Sequence, residues 1–454
     1  MRGQVGGRVR GWARASHTSR RALLGGGLFL AGCAPFAGGA ERPPPSASER
    51  PATIQFWPTW GAEFQVSGMT QVAQAFQAQA PQLTVELTPY RGEYEKIVAA
   101  VAAGAPPDVH SLPSGQVGPF ARRGLVESIE ARVAKSQVAK RDLFLPAQLE
   151  VGSWNGKLVA LPCWEHAPSA YVFWNQGHFA EAGLPDRAPA TLDEARLYAE
   201  RLTKFGDDGA IVRLGFDPLA EAASGLLDYW ANAYDVSWYD KGTQKVDLLK
   251  PGLIAAVEYI QGLYRFAGYD RIQAYRQRYP AFNAPAAGMP QGVESIKISS
   301  GVSVGTLALN APAVPVGIGW APAPARPRTF ITLGGGHYMA VARGAPQPDA
   351  AWRFLEYLTS GAAGQQMFDR IGWISYNKEV ARTVDVRRVP NARFAFDAPA
   401  KAQQVLAPVV LPVEAAVVGQ GVQRVLRGEQ SAREMLQQAG RELQGALDEA
   451  RRGA

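Results

Sequence analysis

The sequence contains few cysteines, with only Cys33 and Cys163 among its 454 residues. A fold held together by several disulfide bridges is therefore excluded. Beyond residue 32 the sequence also lacks any apolar run approaching the about 20 residues that a membrane-spanning helix needs. The body of the chain is accordingly predicted to contain no such helix.

Concentrated positive charge is also missing from most of the sequence. The whole chain has a net charge of +7, but six arginines lie among the first 32 residues, which contain no acidic residue. Without those six charges the net charge falls to +1, and no block of five or six like charges remains. A surface that follows nucleic-acid phosphates needs such a block, so we predict no nucleic-acid partner.

The motifs of several reaction classes are absent as well. The sequence has no Gly-x-x-x-x-Gly-Lys-Ser/Thr loop, so nucleotide hydrolysis would belong to a partner. Cys163 and His166 offer at most two zinc ligands, and no second cluster has the spacing of a zinc site. We therefore predict neither a metal ion nor a cofactor.

Residues 301–305 (Gly-Val-Ser-Val-Gly) match the turn that carries the nucleophile of α/β-hydrolases. That chemistry needs an acid and then a histidine later in the chain. The only histidine after Ser303 is His337, and no acidic residue lies between them. A lipoprotein serine hydrolase using Ser303 is a remote alternative, and we predict no catalytic residue and no enzyme.

The first 33 residues combine a basic leader, an apolar run over residues 22–32 and a cysteine. They resemble a bacterial lipoprotein signal, with residues 30–33 (Leu-Ala-Gly-Cys) as the lipobox. Residues 19–24 (Ser-Arg-Arg-Ala-Leu-Leu) also resemble a twin-arginine signal. This resemblance implies removal of residues 1–32, lipidation of Cys33 and an extracytoplasmic, membrane-anchored protein. Cys163 is then left without an intramolecular partner.

Residues 33–50 follow as a segment rich in Pro, Ser, Gly and Ala, including three consecutive prolines. Such a composition cannot bury a core, so the segment is predicted to be a flexible tether. The remaining body of about 400 residues is too long for one core and should form two lobes.

After the tether the pattern becomes α/β. Residues 54–56, 83–87 and 108–112 are predicted strands, and helical periodicity lies between them around Val72 and Ile97. Such a βαβαβ series implies a parallel sheet with right-handed crossovers. Ligands of open α/β sheets bind beyond the carboxyl ends of the strands, which here are followed by residues 57–61 and 113–116.

Further elements follow along the chain. Residues 171–174 are a predicted buried strand, and Thr191 and Glu194 form a capping-box pattern at the start of a helix. Residues 281–327 are dense in proline and glycine and are predicted to be irregular crossover and strand rather than helix. Helices are predicted over residues 349–358 and 429–451.

Four blocks of the sequence resemble the extracellular solute-binding proteins of ABC importers, in the group that includes maltose-type and glycerol-phosphate-type binders. The blocks are residues 53–126, 154–191, 316–324 and 333–374, and their order and spacing are specific. The resemblance implies an α/β, two-lobed periplasmic-binding-protein-like fold in which each lobe is a mostly parallel sheet flanked by helices. It places residues 51–162 and 322–360 in the first lobe, and residues 163–321 and 361–454 in the second.

The resemblance also implies a function. A monomeric protein would bind a small solute in the cleft between its lobes and deliver it to the permease subunits in the membrane. The richness in aromatic residues favours a sugar or oligosaccharide, whose C–H faces pack on flat rings. A phosphorylated polyol such as glycerol 3-phosphate and a non-transport adhesion or scaffold lipoprotein remain alternatives.

Candidate ligand contacts follow from the positions of aromatic and planar polar residues. They come from the two loops beyond the first and third strands and from the segments beside the crossings between lobes. The resemblance places these three crossings near residues 161–162, 316–321 and 358–365. From the loops we predict Trp57, Trp60, Glu63, Ser114 and Gln116. From the crossings and the second lobe we predict Trp164, Glu165, His166, Trp230, Asn310, Gly335, Gly336, His337 and Trp373, with Trp320 beside Asn310 as a further candidate.

Overall fold

The computed structural model describes residues 50–162, 170–221, 225–280, 284–325, 328–332, 336–375, 377–389, 391–405 and 414–452. The predictions for Cys33, Trp164, Glu165, His166 and Gly335 lie outside these described residues, as do those for the signal and the tether up to residue 49.

The strands alternate with helices along most of the chain. In chain order they are β1 (Ala52–Trp57), β2 (Leu83–Leu87), β3 (Val109–Pro113), β4 (Ser153–Trp154), β5 (Lys157–Leu158), β6 (Leu161–Pro162), β7 (Tyr171–Asn175), β8 (Lys204–Phe205), β9 (Ile211–Phe216), β10 (Tyr239–Asp240), β11 (Lys245–Val246), β12 (Glu294–Ser299), β13 (Val316–Trp320), β14 (Phe330–Thr332), β15 (His337–Val341) and β16 (Gln403–Val405).

The helices pack on both faces of the sheets. They are α1 (Glu63–Gln79), α2 (Tyr94–Ala102), α3 (Ser114–Arg122), α4 (Glu130–Val133), α5 (Pro146–Val151), α6 (Gln176–Glu181), α7 (Leu192–Leu202), α8 (Ala231–Ala233), α9 (Pro251–Ala267), α10 (Tyr269–Arg278), α11 (Val302–Asn310), α12 (Pro348–Leu358), α13 (Gly361–Ile371), α14 (Lys378–Thr383), α15 (Ala392–Lys401), α16 (Glu414–Leu426) and α17 (Ala432–Arg452).

The first lobe is built on a five-stranded sheet with the order β2-β1-β3-β15-β6. β1 pairs in parallel with β2 and β3, as the βαβαβ pattern predicts. β15 returns from late in the chain and pairs antiparallel with both β3 and β6. The apolar face of α1, including Val72 and Phe76, covers one face of this sheet together with α12. The predicted elements of this lobe are therefore present, and the sheet is completed by a distant strand.

The second lobe is built on the sheet β13-β7-β12-β9-β8. Only β12 and β9 pair in parallel, whereas β7 pairs antiparallel with β12 and β13, and β8 pairs antiparallel with β9. The two-lobed α/β fold is confirmed, but this sheet is mixed rather than mostly parallel. The reason is topological, because β7 and β13 adjoin the crossings between lobes and run in opposite directions.

One helix in the second lobe differs from the sequence-based expectation. α11 occupies Val302–Asn310, within a stretch predicted to be irregular because of its prolines and glycines. Val304 and Leu307 are buried on the inner face of α11, and Pro312 lies beyond its last residue. Proline after a helix does not disturb its hydrogen bonds, so the proline density did not exclude a helix here.

α13 joins the first-lobe core to a smaller core that includes β7 of the second lobe. Its Met367 and Ile371 pack in the first-lobe core, while Phe368 packs with α14, α15 and β7 in a smaller core. α13 ends at Gly372, whose φ of +78° is the left-handed conformation that favours glycine. There the backbones of Gly372 and Gly305 of α11 approach so closely that a Cβ on Gly305 would lie 2.3 Å from the Gly372 carbonyl oxygen.

Replacing Gly305 with alanine is expected to lower the free energy of unfolding by about 1–3 kcal/mol, because the added methyl group forces two backbones apart. Chemical denaturation of the purified protein measures this loss. Gly262 in α9 is the matched control, since nothing lies within 4 Å of its Cβ position. Gly262→Ala should raise stability by about 0.5–1 kcal/mol through helix propensity. Equal stability of Gly305→Ala and the wild type would contradict the close contact.

Neither a membrane span nor a metal cluster is found within the described ranges. No helix there is both long and apolar enough to cross a bilayer. No group of three or more His, Cys, Asp or Glu side chains there could hold a metal ion.

Candidate functional site

The loop after β1 lies at the carboxyl edge of the first-lobe sheet and is held by neighbouring strands. The Tyr90 amide donates a hydrogen bond of 2.9 Å to the Pro58 carbonyl, and the Tyr90 hydroxyl donates one of 2.6 Å to the Ser111 carbonyl. The amide of Thr59 donates to the Ser111 hydroxyl at 2.8 Å. These bonds connect the segments that follow β1 and β2 with β3, and they orient the loop that carries Trp60.

Three candidate residues from distant parts of the sequence form one aromatic cluster at this edge. The Trp60 ring lies 4.6 Å from the His337 ring and 4.6 Å from the Trp373 ring, measured between centroids. Trp60 is 7% exposed and Trp373 4% exposed, whereas His337 is only half-buried. The two tryptophans are therefore buried, and His337 is the member of the cluster that presents the most surface to a ligand.

The start of α3 adjoins the same cluster. Pro113 of β3 stands opposite His337 of β15, and the Ser114 amide donates a hydrogen bond of 3.1 Å to the Gly336 carbonyl. Gly336 has a φ of +98°, which only glycine adopts readily. Ser114 and Gln116 are half-buried in the first turn of α3. The structure thus brings Ser114, Gly336 and His337 together with Trp60.

Trp57 and Glu63 lie on either side of this cluster. Because side chains alternate along a strand, Phe56 faces the core beneath α1, and Trp57 packs half-buried toward the opposite face. Glu63 is exposed as the first residue of α1. The role of each of these residues as a ligand contact stays a prediction.

The corresponding edge of the second lobe carries an aromatic group formed by Trp320, Tyr171 and Phe394. Trp320 ends β13 opposite Tyr171, which begins β7, and their ring centroids are 6.0 Å apart. Phe394 of α15 packs 5.0 Å from Trp320. Trp320 remains half-buried, so part of its ring is open to a ligand.

Two predicted contacts lie elsewhere. Trp230 is 0% exposed in the second-lobe core, and its indole N–H donates to the Pro218 carbonyl at 3.2 Å. Asn310 ends α11, whose first turn follows β12, so it lies about 12 Å from that edge along the helix. We correct the prediction for Trp230, because a tryptophan in an apolar helix can belong to the core as readily as to a cleft. The role of Asn310 as a ligand contact stays a prediction.

A buried ionic cluster in the second lobe joins residues along β12 to Glu221, which follows β9. The Lys297 ammonium is 2.6 Å from Glu221 and 3.9 Å from Glu294. The Ser299 hydroxyl donates to Glu221 and lies 2.6 Å from the hydroxyl of Ser303. The serine of the Gly-x-Ser-x-Gly match is thus a buried member of a structural network rather than an exposed nucleophile.

Burial and neighbouring charges shift the protonation of this cluster. Burial raises the pKa of Glu294 to about 7, although the charge of Lys297 opposes that rise. Burial alone would lower the pKa of Lys297, but the carboxylates of Glu221 and Glu294 raise it above its ordinary value. Lys297 is therefore charged in the folded protein. Sequence reasoning missed this cluster because β12 alternates polar and apolar residues, which is typical of a half-exposed strand.

Comparison with known families gives one match that covers most of the chain. The model of the family described as "Bacterial extracellular solute-binding protein" matches residues 63–365. This range begins with α1 and ends within α13. Of the aromatic cluster it includes His337, whereas Trp60 and Trp373 lie just outside it.

Individual relatives share the fold at low sequence identity. The maltotriose-binding protein of Pyrococcus abyssi (strain GE5 / Orsay) is 22% identical over 333 residues, which are 70% of this chain and 65% of that protein. The structure of CpMnBP1 with mannobiose bound has a TM-score of 0.74 at 18% identity, covering 87% of this chain and 100% of that one. UgpB from Mycobacterium tuberculosis with glycerophosphocholine has a TM-score of 0.71 at 19% identity, covering 88% and 99%.

Proposed function

Because the chain belongs to the bacterial extracellular solute-binding protein family, we propose that it binds a sugar or oligosaccharide for an ABC importer. Membership makes it an extracytoplasmic binding protein and not an enzyme. The carbohydrate assignment is supported by the maltotriose-binding relative and by the mannobiose complex of CpMnBP1. The glycerophosphocholine complex of UgpB keeps a phosphorylated polyol as a ligand to be tested.

The observation that carries the proposal is the pair of aromatic surfaces at the two sheet edges. In the first lobe the half-buried His337 ring packs on the buried Trp60, which contacts the buried Trp373. In the second lobe the half-buried Trp320 ring packs against the buried Tyr171. Flat rings pack against the C–H faces of a sugar, while polar groups such as Ser114 and Gln116 bond its hydroxyl groups. A pyranose ring needs both kinds of contact.

The mechanism follows from the connection between the lobes. A ligand that contacts both aromatic surfaces favours the closed arrangement by its differential affinity for that state. Such a closure would occur about α13, which packs in the first-lobe core and in the smaller core that includes β7, and about the Gly305–Gly372 contact. Closure would then be recognised by the permease.

The remaining parts of the proposal concern attachment and domain limits. We propose that residues 1–32 are removed as a signal, that Cys33 is lipidated, and that the protein acts as a monomer beside the membrane permease. The proposed lobe limits are residues 51–162 with 322–360, and 163–321 with 361–454, except that residues 361–373 pack with the first lobe. Trp57, Glu63, Trp164, Glu165, His166 and Gly335 complete the proposed ligand contacts.

Purified protein lacking residues 1–33 is expected to bind a neutral oligosaccharide in isothermal titration, with maltotriose, mannobiose and glycerol 3-phosphate as the panel. Trp320→Ala should weaken that binding about ten- to a hundredfold because it removes the second-lobe aromatic surface. Trp320→Phe keeps an aromatic ring, so its affinity for the oligosaccharide should fall much less. Absence of binding to every saccharide, with no solute retained in native mass spectrometry, would contradict the proposed function.

A further inference from the structure

Arg91 occupies a backbone conformation that ordinary side chains avoid. Residues 90–93 form a tight turn in which the Glu93 amide donates a 3.0 Å hydrogen bond to the Tyr90 carbonyl. The two central residues, Arg91 and Gly92, have φ values of +55° and +78°. This is the type I′ pattern, for which asparagine, aspartate or glycine is preferred at the first central position. Arginine stands there against the local conformational preference.

The side chain of Arg91 extends over the loop that carries Trp60. A Cβ on Gly61 would lie 2.6 Å from the Arg91 Nε and 2.7 Å from its Cγ, so the arginine stem covers Gly61 directly. Gly61 follows Trp60, whose ring contacts His337. Both the turn and the loop extend from the carboxyl ends of adjacent strands, β2 and β1. The guanidinium group is therefore placed at the rim of the candidate site.

No carboxylate balances this charge in the part of the chain that the structure describes. Glu63 follows Gly61 closely in the sequence, yet among the described residues no ion pair joins it to Arg91, and Glu93 pairs instead with Lys96 at 2.9 Å. Arg91 is exposed, and a guanidinium group carries five N–H donors with which to bind an anion. A strained, unpaired arginine at a binding rim is the kind of outlier from which a functional role is inferred.

We propose that Arg91 binds an acidic group of the solute, so that the site prefers a saccharide bearing a carboxylate or phosphate over its neutral counterpart. The inference rests on the proposed function and specifies its substrate class. A planar guanidinium pairs with either anion through two parallel N–H bonds. Trp60 and His337 would hold the sugar ring while Arg91 selects the charged substituent.

Isothermal titration with digalacturonate, glucose 6-phosphate and maltotriose tests this inference on wild-type protein, Arg91→Asn and Arg91→Lys. Asparagine suits the turn, so Arg91→Asn should fold at least as stably as the wild type. It should bind the acidic saccharide about tenfold or more weakly, while maltotriose binding changes less than about twofold. The affinity of Arg91→Lys for the acidic saccharide should lie between those of the wild type and Arg91→Asn, because lysine keeps the charge but lacks the planar guanidinium group.

The matched control is Arg123→Asn, which removes an exposed arginine at the opposite end of α3 and should leave every affinity unchanged. The first two ligands distinguish a carboxylate from a phosphate. Wild-type preference for maltotriose, or equal binding of acidic saccharide by Arg91→Asn and wild type, would overturn the inference and leave the proposed function standing. Failure to bind any of the three saccharides would overturn both.

Discussion

Replacing Lys297 with methionine is expected to destabilise the protein by about 3–5 kcal/mol, because it leaves buried carboxylates without their cation. Lys297 is 2% exposed, and its ammonium lies 2.6 Å from Glu221. Methionine fills a similar volume, so the loss reports the missing charge rather than a cavity. Urea denaturation at neutral pH gives the change in free energy of unfolding.

Removing the partner charge separates electrostatics from packing. The double variant Lys297→Met with Glu221→Gln should be more stable than Lys297→Met alone, since the stranded carboxylate is gone. Lys241→Met is the control, because Lys241 and Glu150 form an exposed pair at 4.0 Å whose loss should cost less than about 1 kcal/mol. A change of less than 1 kcal/mol for Lys297→Met would show that the cluster is not a stabilising unit.

Replacing His110 with leucine is expected to stabilise the protein, and increasingly so in acid. His110 lies fully buried in β3, and among the described residues neither ring nitrogen has a hydrogen-bond partner. Leucine removes that unpaired donor, which should gain about 1–3 kcal/mol at pH 7. Burial also lowers the pKa of His110 to about 3, so the folded protein keeps the ring neutral.

The pH dependence has a definite sign. In the unfolded chain this histidine takes up a proton below about pH 6.5, whereas in the folded chain it does not until about pH 3. The wild type should therefore lose stability relative to His110→Leu by about 1.4 kcal/mol per pH unit as the pH falls from 6.5 toward 4. Denaturation of both proteins at each pH cancels the titration of their shared carboxylates. Parallel stability curves would contradict the buried, neutral ring.

Much of the first lobe could be predicted from local patterns. β1, β2 and β3 follow from alternation, and the loop at Trp60 follows from the rule that ligands bind beyond strand ends. The convergence of Trp60, His337 and Trp373 could not be predicted from spacing, because it depends on β15 and α13 returning to the same edge. The family resemblance, rather than periodicity, led to the prediction of His337 and Trp373.

Less of the second lobe could be predicted from the sequence. Its sheet is mixed, so a βαβ rule does not fix which strand ends lie together. The polar residues of β12 are buried through ion pairing and hydrogen bonding, although their alternation is typical of a solvated face. Trp230 shows the opposite case, since an aromatic residue with a polar N–H found its partner within the core. For the polar residues of β12 and for Trp230, burial depends on the hydrogen-bond or ion-pair partner that the fold supplies, which the residue type alone does not reveal.

The position of β15 has a consequence for the order in which the protein can fold. β15 lies between β3 and β6, although both are synthesised more than a hundred residues before it. Until residue 341 has left the ribosome, those two strands expose unpaired backbone edges that invite aggregation. Formation of the first lobe thus waits for a late, long-range strand pairing, which slows folding.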